Sequence, residues 1–140
     1  PSDAAEELAR RLGAPHEVID DVITLTGGNP GAIYELSYVS WDINEWVRRS
    51  IRKRLEDTLR HLTVDEKEFI KEVVDDVDKL PSHKGLTLKL MEYNLITPVD
   101  RPALGYTPPI DKELGIGVEW AWQLPIYKEV LKELTEKGKV

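Results

Sequence analysis

The hexapeptide Thr26-Gly27-Gly28-Asn29-Pro30-Gly31 separates two helical patterns and contains no large hydrophobic side chain. Gly27 or Gly28 can adopt the left-handed conformation that closes the preceding helix. Asn29 is a favourable N-cap, and Pro30 fits the first position of the next helix, because its missing N–H costs nothing there. The hexapeptide therefore predicts a tight corner between two helices, at which the glycines allow a second group to approach closely.

What approaches this corner is open on physical grounds. The helix that follows it begins with unpaired backbone amides and the positive end of the helix dipole, which together suit a nucleotide phosphate. The same chemistry is common in helix corners that bind nothing. The sequence pattern alone favours an ordinary turn and leaves a nucleotide contact as the alternative.

Three short helices are predicted around the corner. The first covers residues 2–12, the second covers residues 15–26, and the third begins at Pro30. Each has apolar residues at spacings of three and four, so each has one face to bury. We therefore predict residues 1–41 as a small helical unit.

A long connecting helix is predicted over residues 42–62, beginning with a capping box of Asp42 and Glu45. Its apolar positions recur at helical spacing: Ile43, Val47, Ile51, Leu55, Leu59 and Leu62. A second capping box, of Thr63 and Glu66, begins another helix immediately. The bend between the two helices predicts a boundary, with a separate domain over residues 63–140.

The rest of the domain is predicted as a short helix over residues 86–93, two strands and a final helix. Asn94 can stop the short helix in the left-handed conformation. The strands cover residues 95–97 and 118–124, and a loop rich in proline and glycine, residues 98–117, separates them. Prolines and widely spaced apolar residues in this loop predict an arm that projects as an extended wing.

This order of elements is that of a winged helix. Its second helix is nearly missing, because residues 77–86 leave room only for a turn at Leu80–Gly85. The predicted fold class is therefore mainly α with a small β-hairpin, in which a three-helix lid bundle is followed by a degenerate winged helix.

Three separate stretches carry a family resemblance: Leu25-Thr26-Gly27-Gly28-Asn29-Pro30-Gly31-Ala32, Asn94-Leu95-Ile96 and Trp122-Gln123-Leu124-Pro125-Ile126-Tyr127-Lys128-Glu129-Val130-Leu131. Together they resemble the C-terminal part of the archaeal ATPase family, P-loop proteins of the AAA+ and signal-transduction NTPase (STAND) group. In that family a nucleotide-binding α/β domain is followed by a small helical lid and a winged helix. The chain is similar to the lid and winged helix over nearly its whole length.

The resemblance implies that Gly28, Asn29 and Pro30 contact the adenine side of a bound nucleotide. It implies a regulatory fragment whose lid contacts ATP or ADP held by an N-terminal P-loop domain. The winged helix would then bind a partner or a neighbouring domain. The chain begins Pro1-Ser2-Asp3 without an initiating methionine, so we expect it to be part of such a longer protein, an ATPase.

Two departures limit this expectation. No Gly-x-x-x-x-Gly-Lys-[Ser/Thr] motif and no strand ending in paired acids occurs, so we expect no catalytic residue, no enzyme activity and no ATP or ADP cofactor for the chain alone. Origin-recognition relatives also place an arginine on the lid helix, where Gly31-Ala32-Ile33 has none. The corner is thus expected to contact the nucleotide without sensing its γ-phosphate.

Basic residues are the candidates for contact with nucleic acid or a protein partner: Arg48, Arg49, Arg52, Lys53, Lys84, Lys89 and Arg101. Helical spacing places the first four opposite the apolar stripe of the connecting helix, where Glu45, Glu56 and Asp57 are partners for salt bridges, and Arg54 belongs to the same basic run. The short helix has no arginine, asparagine or glutamine before Asn94 to read a base edge, and its bases are only Lys84 and Lys89. A protein partner is therefore favoured over DNA, with a DNA-binding winged helix or a nucleotide-independent adaptor as the alternatives.

Composition favours a protein of the cytoplasm. The net charge of −7 opposes a mainly nucleic-acid-binding role, although residues 42–62 hold 6 bases against 4 acids. There is no cysteine, no secretory leader and no apolar run of the roughly 20 residues that a membrane span needs. The charge-rich, cysteine-free composition also suits a thermophile. His16, His61 and His83 are scattered, so no metal site is expected.

Overall fold

The computed structural model describes residues 2–99 and 110–138. Within these ranges the chain forms α-helices and one two-stranded antiparallel sheet. The predicted fold class, mainly α with a small β-hairpin, is confirmed.

The glycine corner has the predicted local structure. The N-terminal elements are α1 (Ser2–Arg11), a 3-10 turn (His16–Val18), α2 (Ile19–Thr26) and α3 (Pro30–Tyr38). Gly27 closes α2 at φ 62°, and the Asn29 Oδ1 accepts a hydrogen bond from the Ala32 N–H at 3.1 Å. Pro30 occupies the first turn of α3. The three local predictions for the corner are therefore confirmed.

The connecting helix contains a wide turn that the sequence did not predict. It comprises α4 (Ile43–Trp46), a π-helical turn (Val47–Ile51) and α5 (Arg52–Arg60), so it ends two residues before the predicted Leu62. Asp42 accepts from the Glu45 N–H at 3.1 Å, as expected. Only this one of the two hydrogen bonds of the predicted capping box forms, because the Glu45 carboxylate bonds to Arg48 and Arg49 and not to the Asp42 N–H.

The second part of the chain follows the predicted order, with different bounds. Its elements are α6 (Val64–Asp75), a 3-10 helix (Val77–Ser82), α7 (Lys84–Glu92), β1 (Ile96–Pro98), β2 (Trp120–Trp122) and α8 (Pro125–Glu136). The expected turn at Leu80–Gly85 is thus wrong in detail, because the 3-10 helix covers its first half and α7 already includes Lys84 and Gly85. The side chain of His83 caps α7 by accepting from the Leu86 N–H at 3.1 Å, so α7 begins two residues early.

The first strand has the predicted length but lies one residue later, the second strand is shorter than predicted, and the two pair in one register. Ile96 lies opposite Trp122, and Pro98 lies opposite Trp120. Pro98, expected to end the first strand, is its last residue; proline is tolerated in an edge strand because its missing N–H need not pair. Asn94 has φ 61°, so the predicted left-handed stop of α7 is confirmed.

The predicted wing is only partly within the described residues. Arg101 and positions 100–109 lie outside them. The last part of the loop does not project, because Ile116 forms bridges with both Asp111 and Ala121. The Trp122 N–H also donates to the Gly115 carbonyl at 2.9 Å. Residues 111–117 therefore fold back beside β2.

One hydrophobic cluster runs through the described chain. Ile33 of α3, Trp46 and Leu55 of the connecting helix and Leu134 of α8 each have no exposed surface and belong to it. The division into residues 1–41, 42–62 and 63–140 stays a prediction. Buried side chains from all three segments nevertheless share this cluster.

Gly117 lies against the 3-10 helix, so the variant Gly117→Ala should be destabilised. A Cβ at this position would overlap the Asp78 Oδ1 and lie 2.7 Å from the Val77 Cγ1. We expect a loss of about 1–3 kcal/mol in the free energy of unfolding, measured by urea denaturation. Gly138→Ala, where no atom lies within 4 Å, should lose less, because only its positive φ opposes a side chain there. A Gly117→Ala variant as stable as wild type would contradict this packing.

Candidate functional site

The close approach predicted at the glycine corner is made by the chain itself. A Cβ on Gly27 would lie 3.0 Å from the Pro125 Cδ, at the start of α8. A Cβ on Gly28 would lie 3.4 Å from the Ala5 Cβ of α1, and both glycines have positive φ. The corner is therefore packed between the first helix and the last.

A cleft of about 340 Å³ begins on the Asn29 side of this corner. We call it the corner cleft, and it is lined by Asn29, Gly31, Ala32, Glu35, Arg54, Tyr93, Asn94, Gln123, Leu124 and Tyr127. Each of the three stretches that carry the family resemblance contributes to the lining. Residues distant in sequence thus meet on one surface.

The backbone positions the far wall of the cleft. The left-handed conformation of Asn94 turns the chain from α7 into β1. The Gln123 N–H then donates to the Leu95 carbonyl at 2.7 Å, next to the paired strands. Pro125 begins α8 immediately afterwards, which places Tyr127 in its first turn.

Arg54 lies at the centre of the polar contacts in the cleft. Its guanidinium donates to the Glu35 Oε2 at 2.8 Å and to the Tyr127 hydroxyl at 2.6 Å. The other oxygen of Glu35 accepts from the Trp46 Nε1 at 3.0 Å. Four side chains from α3, the connecting helix and α8 therefore form one hydrogen-bonded chain.

Arg54 is charged and Tyr127 is neutral at neutral pH, and their surroundings move both pKa values further from neutrality. Burial disfavours the charged form of Arg54, but its bonds to Tyr127 and Glu35 outweigh burial and raise its pKa further. Burial raises the pKa of Tyr127, against the opposing influence of Arg54. The cleft therefore holds a charged guanidinium beside a neutral phenol.

The three consecutive residues assigned to nucleotide contact have different surroundings in the structure. Asn29 lines the corner cleft. Gly28 is half-buried against Ala5, and its N–H donates to the Thr26 Oγ1 at 3.2 Å. Pro30 is exposed at the start of α3 and does not line the cleft.

Sequence reasoning missed Glu35 altogether and treated Arg54 as one member of a solvated basic run. A weak signal was present, since Glu35 precedes the apolar position Leu36 and Arg54 precedes the apolar position Leu55. Each side chain therefore leaves its own helix at the border of the buried face of that helix. Their contact joins residues 19 positions apart, and the contact of Arg54 with Tyr127 spans 73 positions, so helical spacing could not reveal either.

The other basic candidates are mostly paired with carboxylates. Arg48 and Arg49 each lie 2.9 Å from a Glu45 oxygen, which confirms the predicted salt-bridged face. Arg52 pairs with Glu133 of α8 at 2.9 Å, and not within its own helix as expected. These pairs leave fewer free cations for a phosphate backbone than the sequence indicates.

The two lysines of α7 differ in their surroundings. Lys89 donates to the buried Glu66 at 2.6 Å and to the His61 carbonyl at 3.2 Å, so it links α7 to the start of α6. Lys84 is exposed, as is Lys53 on the connecting helix, and neither forms an ion pair within residues 2–99 and 110–138. The structure does not bring Lys53, Lys84 and Lys89 into the corner cleft.

Comparison with known proteins gave no match to a family model, a curated protein or a solved structure. Among the described side chains, no group of three histidine, aspartate or glutamate residues is arranged to hold a metal ion. No helix in the same part of the chain has the length and apolar character needed to cross a bilayer.

The Glu66 carboxylate should make stability depend on acid pH. Burial raises its pKa, but bonds from Lys89 and Thr63 outweigh this and bring the pKa below its ordinary value of 4.5. A lowered folded-state pKa means that the carboxylate stabilises the fold at neutral pH and loses this contribution as the pH falls below about 4.5. Urea denaturation should show a shallower acid loss for Glu66→Gln than for wild type. Glu68→Gln, at an exposed pair with Lys71, should keep the wild-type profile, and identical profiles for all three proteins would contradict this role.

Proposed function

We propose that the chain is the C-terminal regulatory part of a P-loop ATPase of the archaeal ATPase type, acting in the cytoplasm. Its N-terminal helices form a lid that contacts ATP or ADP held by a separate P-loop domain. Its C-terminal part acts as a winged helix and binds a protein partner or that neighbouring domain. In this proposal the chain itself hydrolyses nothing.

The observation that carries the proposal is the convergence of the three resembling stretches on the corner cleft. Asn29, Asn94 and Gln123 come from different stretches, yet all line the same cleft. Contact among these stretches is what a shared binding surface requires, whereas independent chance similarities give no reason for them to meet. The convergence therefore supports a function at this surface.

The chemistry of the cleft suits a nucleotide. Amide side chains such as those of Asn29 and Gln123 can pair with the donors and acceptors of a base edge, and the Tyr93 ring offers an aromatic surface. Arg54 adds a positive charge to the lining, where Glu35 and Tyr127 hold its guanidinium in place. Most of the lining residues are thus polar, with apolar surface from Gly31, Ala32 and Leu124 and from the two tyrosine rings.

The outer face of α7 supports a protein partner over DNA. Leu88 and Met91 lie one turn apart there, with 62% and 38% of their surface exposed. Lys84 and Glu92, also exposed, bring opposite charges to the same helix. A helix with this surface is poorly suited to a phosphate-lined groove, in which arginine, lysine and amide side chains predominate.

The proposal predicts that Asn29→Ala weakens nucleotide binding by the longer protein. The chain should be expressed together with the coding sequence that precedes it in its gene, and ADP and ATP affinity measured by calorimetry. Loss of the Asn29 side chain should weaken affinity about tenfold, because one hydrogen-bonding partner of a buried ligand is removed. Pro30→Ala, at the exposed side of the corner, should have a smaller effect.

Two matched variants control for general damage to the fold. Asn29→Ala also removes the N-cap of α3, so Asp42→Ala, which removes the equivalent N-cap of the connecting helix, controls for the lost cap. Pro15→Ala removes an exposed proline before another helix. Both should leave nucleotide affinity unchanged. Absence of nucleotide binding by the longer protein, or equal affinity for wild type and Asn29→Ala, would refute the proposed role.

A further inference from the structure

Arg54 connects two helices through hydrogen bonds. One of them, α3, precedes Arg54 in the sequence, and the other, α8, follows it. Its guanidinium bonds to Glu35 of α3 and to Tyr127 of α8. Within residues 2–99 and 110–138, Glu35 and Tyr127 share no hydrogen bond with each other. Any coupling between these two side chains therefore has a direct route through Arg54.

We propose that Arg54 is a positioning residue that couples the helix of the glycine corner to the C-terminal helix. A change in the position of α3 moves Glu35, and the guanidinium transmits that change to Tyr127. This inference rests on the proposed function and deepens it, because it supplies the route by which the lid passes nucleotide state to the winged helix. Arg54 is not assigned to any chemical step.

The burial of Tyr127 and Trp46 strengthens the coupling, whereas the side chains of Arg54 and Glu35 are 35% and 34% exposed. Tyr127 has 3% of its surface exposed, and Trp46 has none. If Glu35 moves away, the Trp46 indole N–H loses its acceptor inside the protein, and a displaced Arg54 leaves the Tyr127 hydroxyl without its donor. Buried polar groups without partners are unfavourable, so the four side chains favour moving together.

Arginine is suited to this position because of its planar fork. Its two terminal nitrogens bond to different partners at the same time, with a carboxylate on one and a hydroxyl on the other. Lysine has the charge but presents it at one nitrogen. The nearby Arg52 pairs with Glu133 of α8 but has no hydrogen bond to α3 among the described residues, so it provides a control.

A mutant cycle on the 140-residue chain, without nucleotide, tests the coupling. Glu35→Gln, Tyr127→Phe and the double variant are compared by urea denaturation, first in wild type and then with Arg54→Gln. We expect the unfolding equilibrium constant of the double variant to differ about fivefold from the product of the single effects. This difference should vanish when Arg54→Gln is present. Glu35→Gln combined with Glu133→Gln should be multiplicative within about twofold.

A spectroscopic readout separates coupling from general destabilisation. Tyr127→Phe keeps the ring and removes only the hydroxyl, so it should shift the indole N–H resonance of Trp46 through Arg54 and Glu35. Lys128→Ala, next to Tyr127 on α8, should not shift it. If Arg54→Gln fails to fold, Arg54→Lys replaces it, since it preserves charge but should also abolish the Tyr127-dependent shift.

The inference would be overturned if, with Arg54 present, the effects of Glu35→Gln and Tyr127→Phe on the unfolding equilibrium constant simply multiplied. A coupling that persists in Arg54→Gln would also overturn it. An unchanged Trp46 resonance in Tyr127→Phe would also overturn it. Because no nucleotide is present, these results are independent of the proposed function. Altered nucleotide affinity in Asn29→Ala together with a multiplicative cycle would retain the function and reject Arg54 as its route.

Discussion

The contact between Gly27 and Pro125 is the constraint on which the arrangement of the other elements depends. No Cβ fits comfortably between them, since one on Gly27 would lie 3.0 Å from the proline ring. The positive φ of Gly27 also closes α2 at this point. One glycine therefore ends a helix and allows the last helix to begin beside it, and the nearby residues Asn29 and Leu124 line the corner cleft.

Features set by neighbouring residues could be predicted from the sequence. The Asn29 cap, the Thr63 capping box and the left-handed Asn94 each depend on chemistry within four residues, and each is present. The π-helical turn at Val47–Ile51 could not be predicted, because the helical pattern continues through it. For the same reason, the spacing of Arg48 to Arg54 indicated one solvated face, whereas the folded chain directs Arg52 and Arg54 to partners on other helices.

The lining of the corner cleft was predicted only in part. Asn29 belongs to it, but Glu35, Arg54 and Tyr127 acquire their roles through contacts across the whole chain. Sequence reasoning sought an arginine on the lid helix, at Gly31-Ala32-Ile33, and found none. The folded chain brings an arginine to the same cleft from the connecting helix, a placement that only the packing of α3 on that helix determines. Charge pattern alone could not distinguish it from its exposed neighbours.

Native-state hydrogen exchange tests most directly whether the corner helices and the C-terminal helix form one cooperative structure. The amides of Ile33 and Leu36 in α3 and those of Leu131 and Leu134 in α8 belong to buried residues of the same cluster. With increasing denaturant, their opening free energies should converge on the value for global unfolding. Exchange of α3 through a separate opening of lower free energy, with α8 still protected, would contradict the account, because the corner and the C-terminal helix would then fold independently.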